Sequence, residues 1–218
     1  MGNFSALGVK LAIEMLASVF LGMTAREYAR ARAAAHLGDP TPRLWGRVSV
    51  RTKPWFDPFG SGLLPALTAV LWAVGITMVP AAYGKAAPVD PAYLRRQPRD
   101  TILVSVAGPG ANLLLAILAG VLVRIRVFPT QLDIALVVFS FTNSALMVFH
   151  LLPIPGLDGA RMVALLLPAG IRDAYRNFDP YLPLIVLLVL FLLGGMTLGI
   201  LDVLAGAVCQ AATGVPCR

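Results

Sequence analysis

Arg26, Glu27 and Arg30 form the chemically most suggestive pattern in the sequence, directly after a long apolar run. Their spacing is that of H-E-x-x-H, in which two histidines one helical turn apart bind Zn²⁺ and the glutamate serves as general base. Arginine occupies both histidine positions here, and a guanidinium, which stays protonated, has no lone pair to offer a metal. Because arginine–glutamate pairs are common at helix ends, the pattern gains meaning only from the elements around it.

The composition predicts a polytopic membrane protein. Hydrophobic residues make up 58% of the 218 residues and charged residues only 13%, whereas about a quarter of a soluble domain is charged. The net charge is +7, but the basic residues are scattered between apolar runs, which favours loops at an anionic membrane surface over a nucleic-acid site. We expect one transmembrane domain over residues 1–218, in a bacterial plasma membrane, with lipid and no nucleic acid among its partners.

Hydropathy along the chain predicts an all-α fold with about five to six transmembrane helices, since a span needs about 20 apolar residues. The apolar runs occupy about 4–23, 61–82, 101–125, 132–152 and 181–204. The first helix is expected to continue to about His36, because a glycine and two prolines follow. A short helix is predicted from Gly159, and a polar break at 170–180.

Residues 40–60 predict a short hairpin or a re-entrant segment at the membrane edge. Apolar residues alternate from Leu44 to Val50 as they do on a strand, and Pro54 and Pro58 interrupt the pattern. This segment directly follows the first helix, so it is expected to lie near the arginine pattern.

The motifs that follow resemble, in the same order, those of the site-2 protease family of intramembrane zinc metalloproteases. They read HLGDPTPRLWGRVSV, DPFGSGLLP, KAAPVDPAYLRRQPRD, VSVAGPGANLLLA and HLLPIPGLDGAR. The resemblance is closest to the short prokaryotic form without a PDZ domain. It implies a protease-like core over about 20–168, followed by a C-terminal span over about 181–204.

The resemblance assigns a role to each position of the candidate site. The two zinc histidines of the family fall on Arg26 and Arg30, and its catalytic glutamate falls on Glu27, here a vestigial general-base position. Its third zinc ligand, an aspartate before glycine, falls on Asp158. Zinc is therefore expected to be lost, with no metal at these positions.

Frame-building positions of the family are kept, while other functional positions differ. Asp57 and Asn112 match, whereas Trp55 stands where this subgroup commonly has a histidine, and His150 stands where an asparagine usually opens the N-x-x-P-x-x-x-x-D-G pattern. Asn112 and His150 are assigned to the former substrate cleft. The pattern resembles a family member that has lost its reaction and kept its fold.

The two arginines can compensate the charges of the two carboxylates at the candidate site. Without a metal, Glu27 and Asp158 would be two carboxylates in a low-dielectric pocket, each costing several kcal/mol or becoming protonated. Two guanidiniums supply the charge of one dication and can bind carboxylates in forked geometry. We therefore predict an Arg–carboxylate cluster that ties the first helix to Asp158. In the alternative, both arginines reach out to the lipid headgroups and Arg30 pairs with Glu27.

Three functions remain open from the sequence. The first is a pseudoprotease, a scaffold or subunit that binds other integral membrane proteins or transmembrane segments. The second is an active metalloprotease with an atypical metal site made of Glu27, His150 and Asp158. The third is a small transporter or channel, suggested by Pro- and Gly-broken helices but disfavoured by the lack of an inverted repeat.

A few polar residues outside these motifs have simpler interpretations. Glu14 is expected to pair with Lys10 one turn before it, and Asp133 is expected to favour the positive end of a helix at its N-terminus. Cys209 and Cys217 can form a terminal disulfide or remain two free thiols.

Overall fold

The computed structural model describes residues 5–76, 78–126, 128–192 and 194–217, and these contain helices and loops but no strand. The α-helices are α1 Ala6–His36, α2 Thr41–Leu44, α3 Leu64–Ala73, α4 Arg99–Arg124, α5 Thr130–His150, α6 Asp158–Ala164, α7 Ala169–Arg176, α8 Leu182–Leu192 and α9 Gly194–Thr213. A π-helix covers Pro58–Leu63, and 3₁₀-helices cover Pro91–Tyr93 and Asp179–Tyr181. The chain has the all-α polytopic membrane fold that the sequence predicted.

Three of the described helices, α1, α4 and α5, are long and apolar enough to cross a membrane. They pack against one another, while α3 lies on α1 and α9 covers α4 and α5. On α1, Met15, Val19 and Met23 are buried at intervals of four residues, so one face of that helix points into the core. Two shorter apolar helices among the described residues cover Pro58–Ala73 and Gly199–Thr213.

The predicted span over 61–82 is wrong in its second half. Helix α3 ends at Ala73, where Gly75 adopts a left-handed φ of +84° that only glycine takes easily. Residues 78–90, named here the extended segment, then run without helix or strand. Pro80 and Pro88 lie within it, and their fixed φ and missing N–H disfavour helix.

The predicted hairpin over 40–60 is also wrong. Its first part is the short helix α2, and its end leads into the π-helix. The Asp57 carboxylate caps that helix by accepting hydrogen bonds from the N–H groups of Phe59 and Gly60. The alternating apolar residues do not line a buried strand face, because Leu44 and Val50 are largely exposed. The re-entrant alternative stays a prediction.

The C-terminal region differs from the expectation at residues 170–180, which carry α7 and a 3₁₀-helix instead of a break. Helices α8 and α9 cover residues 182–192 and 194–204 of the span expected over 181–204. A disulfide joins Cys209 of α9 to Cys217, which decides between the two alternatives for these cysteines.

Candidate functional site

The three residues of the arginine pattern lie on the inner face of α1. Arg26, Glu27 and Arg30 are 2%, 4% and 1% exposed, although all three carry charge. They follow the buried residues Met15, Val19 and Met23 along the helix, so the same face that forms the apolar core becomes charged near its end. Charges buried this deeply need partners supplied by other elements.

Asp158 is the partner, and a close approach of backbones places it. It is the first residue of α6 and is fully buried. The following residue, Gly159, packs directly on the backbone carbonyl of Leu151, so that any side chain at this position would collide with it. Glycine after the aspartate therefore allows the turn after α5 to fold back and bring the carboxylate against α1.

Arg26 bridges two carboxylates. Its Nη1 donates to Glu27 Oε1, and its Nη2 donates to Asp158 Oδ2. The second arginine, Arg30, completes the cluster with Nη1 at 3.4 Å from Asp158 Oδ1. Two guanidiniums thus face two carboxylates, and the buried cluster is neutral as a whole. The predicted contact between the first helix and Asp158 is present.

The alternative arrangement of the arginines is wrong. Both are buried instead of reaching toward headgroups, and Glu27 pairs with Arg26 instead of Arg30. The physical reason is the second carboxylate, because Asp158 attracts both guanidiniums into the interior and is paired with each of them. By contrast, the pair predicted between Lys10 and Glu14 is present, with Nζ 3.6 Å from Oε1.

The extended segment supplies the remaining polar contact of Glu27. Its Oε2 accepts a hydrogen bond of 3.3 Å from the backbone N–H of Ala87. On the outer side, Arg47 lines the same narrow space as Glu27 and donates to the carbonyl of Lys85 at 3.1 Å. Partial burial lowers the pKa of Arg47, and the negative charge of Glu27 acts in the opposite direction. Glu27 therefore accepts hydrogen bonds from the Arg26 guanidinium and from the Ala87 N–H.

Two residues that sequence reasoning did not assign to the site help to shape it. A Cβ on Gly108 of α4 would lie 3.0 Å from Arg26 Cγ and 3.2 Å from Asp158 Oδ2, so this glycine gives the ion pair its room. Asp39, fully buried, accepts hydrogen bonds of 2.9 Å from the N–H groups of Thr41 and Asp90 and so holds the end of the extended segment. The glycines of the AGPGAN motif were the available signal for the close helix contact.

The residues assigned to the former cleft lie in the interior. Asn112 is one turn after Gly108 on α4, is fully buried, and its side-chain N and O have no hydrogen-bond partner among the described residues. His150 ends α5 and is 1% exposed. Their assignment to a substrate cleft stays a prediction.

These residues do not fit a zinc ion. Two of the positions that would supply nitrogen ligands carry guanidiniums, which cannot coordinate and which repel a dication. The carboxylates of Glu27 and Asp158 are occupied by ion pairs with those guanidiniums. In the described part of the chain, no three His, Cys, Asp or Glu side chains are grouped so that they could hold a metal ion.

The fold and the site define a class, a helical membrane protein with a metalloprotease-like site on its first helix. The Bacillus subtilis (strain 168) protein named "Putative zinc metalloprotease YwhC" is 30% identical over 200 residues, 88% of this chain and 85% of that protein. The Mycobacterium tuberculosis (H37Rv) protein named "Putative zinc metalloprotease Rip2" is 30% identical over 184 residues, 83% and 67% of the two chains. The chain belongs to the site-2 protease family.

A Mycolicibacterium smegmatis protein, also named "Putative zinc metalloprotease Rip2", is 29% identical over 152 residues, 67% of this chain and 54% of that protein. No protein-family model matches the chain. No solved structure matches it.

Proposed function

We propose that this protein is a catalytically inactive member of the site-2 protease family. In this proposal it acts in a bacterial plasma membrane as a scaffold or subunit that binds other integral membrane proteins or transmembrane segments. It holds no zinc, and Glu27 is retained as an ion-pair partner and not as a general base.

The observation that carries the proposal is the position of Arg26 between Glu27 and Asp158. In the family resemblance these two carboxylates belong to the general base and to the third zinc ligand. A glutamate in a buried ion pair with a permanent cation is a poor proton acceptor, because the cation stabilises its ionised form. The same cation takes the place from which a metal would activate water.

The electrostatics of the cluster explain how the fold can persist without an ion. Removing a dication from two buried carboxylates would leave them unpaired, at a cost of several kcal/mol each. Arg26 and Arg30 replace its two charges, and they are fixed to the protein, so the compensation does not depend on metal supply. The interior is thereby preserved for a role other than hydrolysis.

The binding role rests on residues of the interior that have no evident task in the isolated chain. The Asn112 amide has hydrogen-bonding capacity that the described residues leave unused, which is costly in an apolar interior. Because Asn112 is fully buried in the isolated chain, the backbone of a bound membrane segment would satisfy that amide after α4 moves away from its neighbours. The exposed apolar face of α4, which includes Leu114 and Leu118, offers additional contact area.

Affinity purification of the full chain in mild detergent tests the proposal, with Glu27→Gln prepared in parallel. The proposal expects a membrane protein to co-purify at the same length with both variants, and in the same amount per folded chain. It also expects Asn112→Leu, which keeps the volume and removes the amide, to reduce that recovery.

An active protease with a Glu27, His150 and Asp158 metal site predicts a different outcome. The partner would be recovered intact only with Glu27→Gln and cleaved with the wild type. That outcome, or the absence of any associated membrane protein, would contradict the scaffold.

A further inference from the structure

A second feature of the molecule lies away from the arginine cluster, at the end where α4 finishes and α5 begins. Two cavities of about 530 and 700 Å³ adjoin there and share Val137, Val138 and Pro216 in their walls. Along α5 their lining runs from Thr130 through Asp133 to Phe141. At 1.5 Å per residue, this face of α5 is about 16 Å long.

The two cavities differ in chemistry. The first is walled by apolar side chains, among them Trp72 and Phe141, with Asp202 as its one charged lining residue among the described ones. The second contains Arg124, Arg126 and Asp133. The space therefore changes from apolar to charged along one helix, as the interior of a bilayer changes to its headgroup region.

The charges in the second cavity are not equivalent. Arg124 is already engaged, because its Nε and Nη2 donate to the carbonyls of Ala212 and Ala211 at the end of α9, at 2.7 and 2.6 Å. Arg126 is exposed, and no ion pair to it lies in the described part of the chain. Asp133 is half-buried, and its buried Oδ1 has no hydrogen-bond partner among the described residues.

We propose that these cavities bind one phospholipid whose headgroup carries a primary ammonium, a phosphatidylethanolamine-type lipid. The phosphate contacts Arg126, the ammonium donates to Asp133, and one acyl chain follows α5 into the apolar cavity. One cation and one anion remain for the ligand, which matches a zwitterionic headgroup better than an anionic one. A quaternary ammonium carries the same charge but has no N–H to donate to the Asp133 carboxylate, which lines the second cavity.

The lining of the first cavity suits an acyl chain, because it is apolar apart from Asp202 among the described residues. The inference goes beyond the proposed scaffold function and does not depend on whether the Arg26 cluster is inert.

Native mass spectrometry of the full chain in detergent tests this site with dioleoyl phosphatidylethanolamine, -choline and -glycerol. We expect one phosphatidylethanolamine per chain, held about tenfold more tightly than the other two lipids, as for one charge-assisted hydrogen bond. Asp133→Asn is expected to remove the preference over phosphatidylcholine. Arg126→Gln is expected to weaken the binding of phosphatidylethanolamine and of phosphatidylcholine about tenfold.

Arg95→Gln, an exposed arginine before α4, is the matched control and is expected to leave all three affinities unchanged. Val137→Phe, which narrows both cavities, is expected to weaken all three lipids. Glycerophosphoethanolamine, which has no acyl chains, is expected not to compete.

Equal affinity of the wild type for the ethanolamine and choline lipids would overturn the assignment, as would a preference of Asp133→Asn equal to that of the wild type. Preferential retention of phosphatidylglycerol would make the site an anion site. A protein segment retained in place of the lipid would equally contradict it.

Discussion

Arg26 contacts Asp158 across 132 residues of sequence, and the ion pair joins the first long helix to the start of α6 in the buried interior. The same guanidinium contacts Glu27, its neighbour on α1. A site whose positions correspond to those of a zinc centre is therefore held together by permanent charges of the protein.

The first prediction concerns the energetic coupling of Arg26 and Asp158. Arg26→Met and Asp158→Leu should each lower the free energy of unfolding by about 3–5 kcal/mol, because each leaves a buried charge unpaired. The double variant should lose less than the sum, because the buried charges that remain, Glu27 and Arg30, balance each other again, whereas each single variant leaves a net charge. Reversible unfolding in mixed detergent micelles measures all three.

Lys10 and Glu14 provide a matched control for that cycle. Their ion pair spans 3.6 Å, but the Lys10 side chain is 40% exposed, so its coupling should be about 0.5 kcal/mol or less. Additive effects of the Arg26 and Asp158 substitutions would mean that the buried pair contributes nothing beyond the individual side chains.

The second prediction concerns the glycine beside the ion pair. Gly108→Ala places a Cβ 3.0 Å from Arg26 Cγ and 3.2 Å from Asp158 Oδ2, and crowding of this kind costs about 1–3 kcal/mol. Gly110→Ala on the same helix has nothing within 4 Å of its Cβ and should be neutral or stabilising, since alanine favours helix. Equal thermal stabilities of the two variants would argue against tight packing of α4 on the cluster.

The third prediction concerns the C-terminal cysteines. Because Cys209 and Cys217 are bonded to each other, protein purified without reductant should take up no alkylating label after denaturation and two labels after reduction. In Cys209→Ser, Cys217 should be labelled without reduction. Mass spectrometry of the intact chain gives the label count, and two labels on the unreduced wild type would show that the bond is absent.

The long helices could be predicted from hydropathy, because a run of about 20 apolar residues has few other uses. The observed bounds of α4 and α5 follow the apolar runs closely, and α1 continues to His36, where the glycine and prolines that follow predicted its end. The shortness of α3 could not be predicted in the same way. Hydropathy indicates which residues are apolar and not which of them are helical. The end of α3 depends on the backbone conformation of Gly75.

The site could be predicted only in part, for a similar reason. The contact between Arg26 and Asp158 could be predicted from charge compensation, because buried carboxylates require cations as partners. The donor from Ala87 to Glu27 is a backbone N–H, which nearly every residue type has, so the sequence at position 87 does not indicate this contact. Its position follows from the path of the extended segment, of which the sequence placed only residues 78–82 in a membrane span.

The metal content of the purified wild-type chain tests the central claim most directly, with Arg26→His/Arg30→His measured beside it. We expect far less than one zinc per wild-type chain. We also expect about one per chain in the double variant, where two imidazoles and Asp158 supply a typical ligand set. About one zinc per wild-type chain, lost when Asp158 is changed to Asn, would contradict the account.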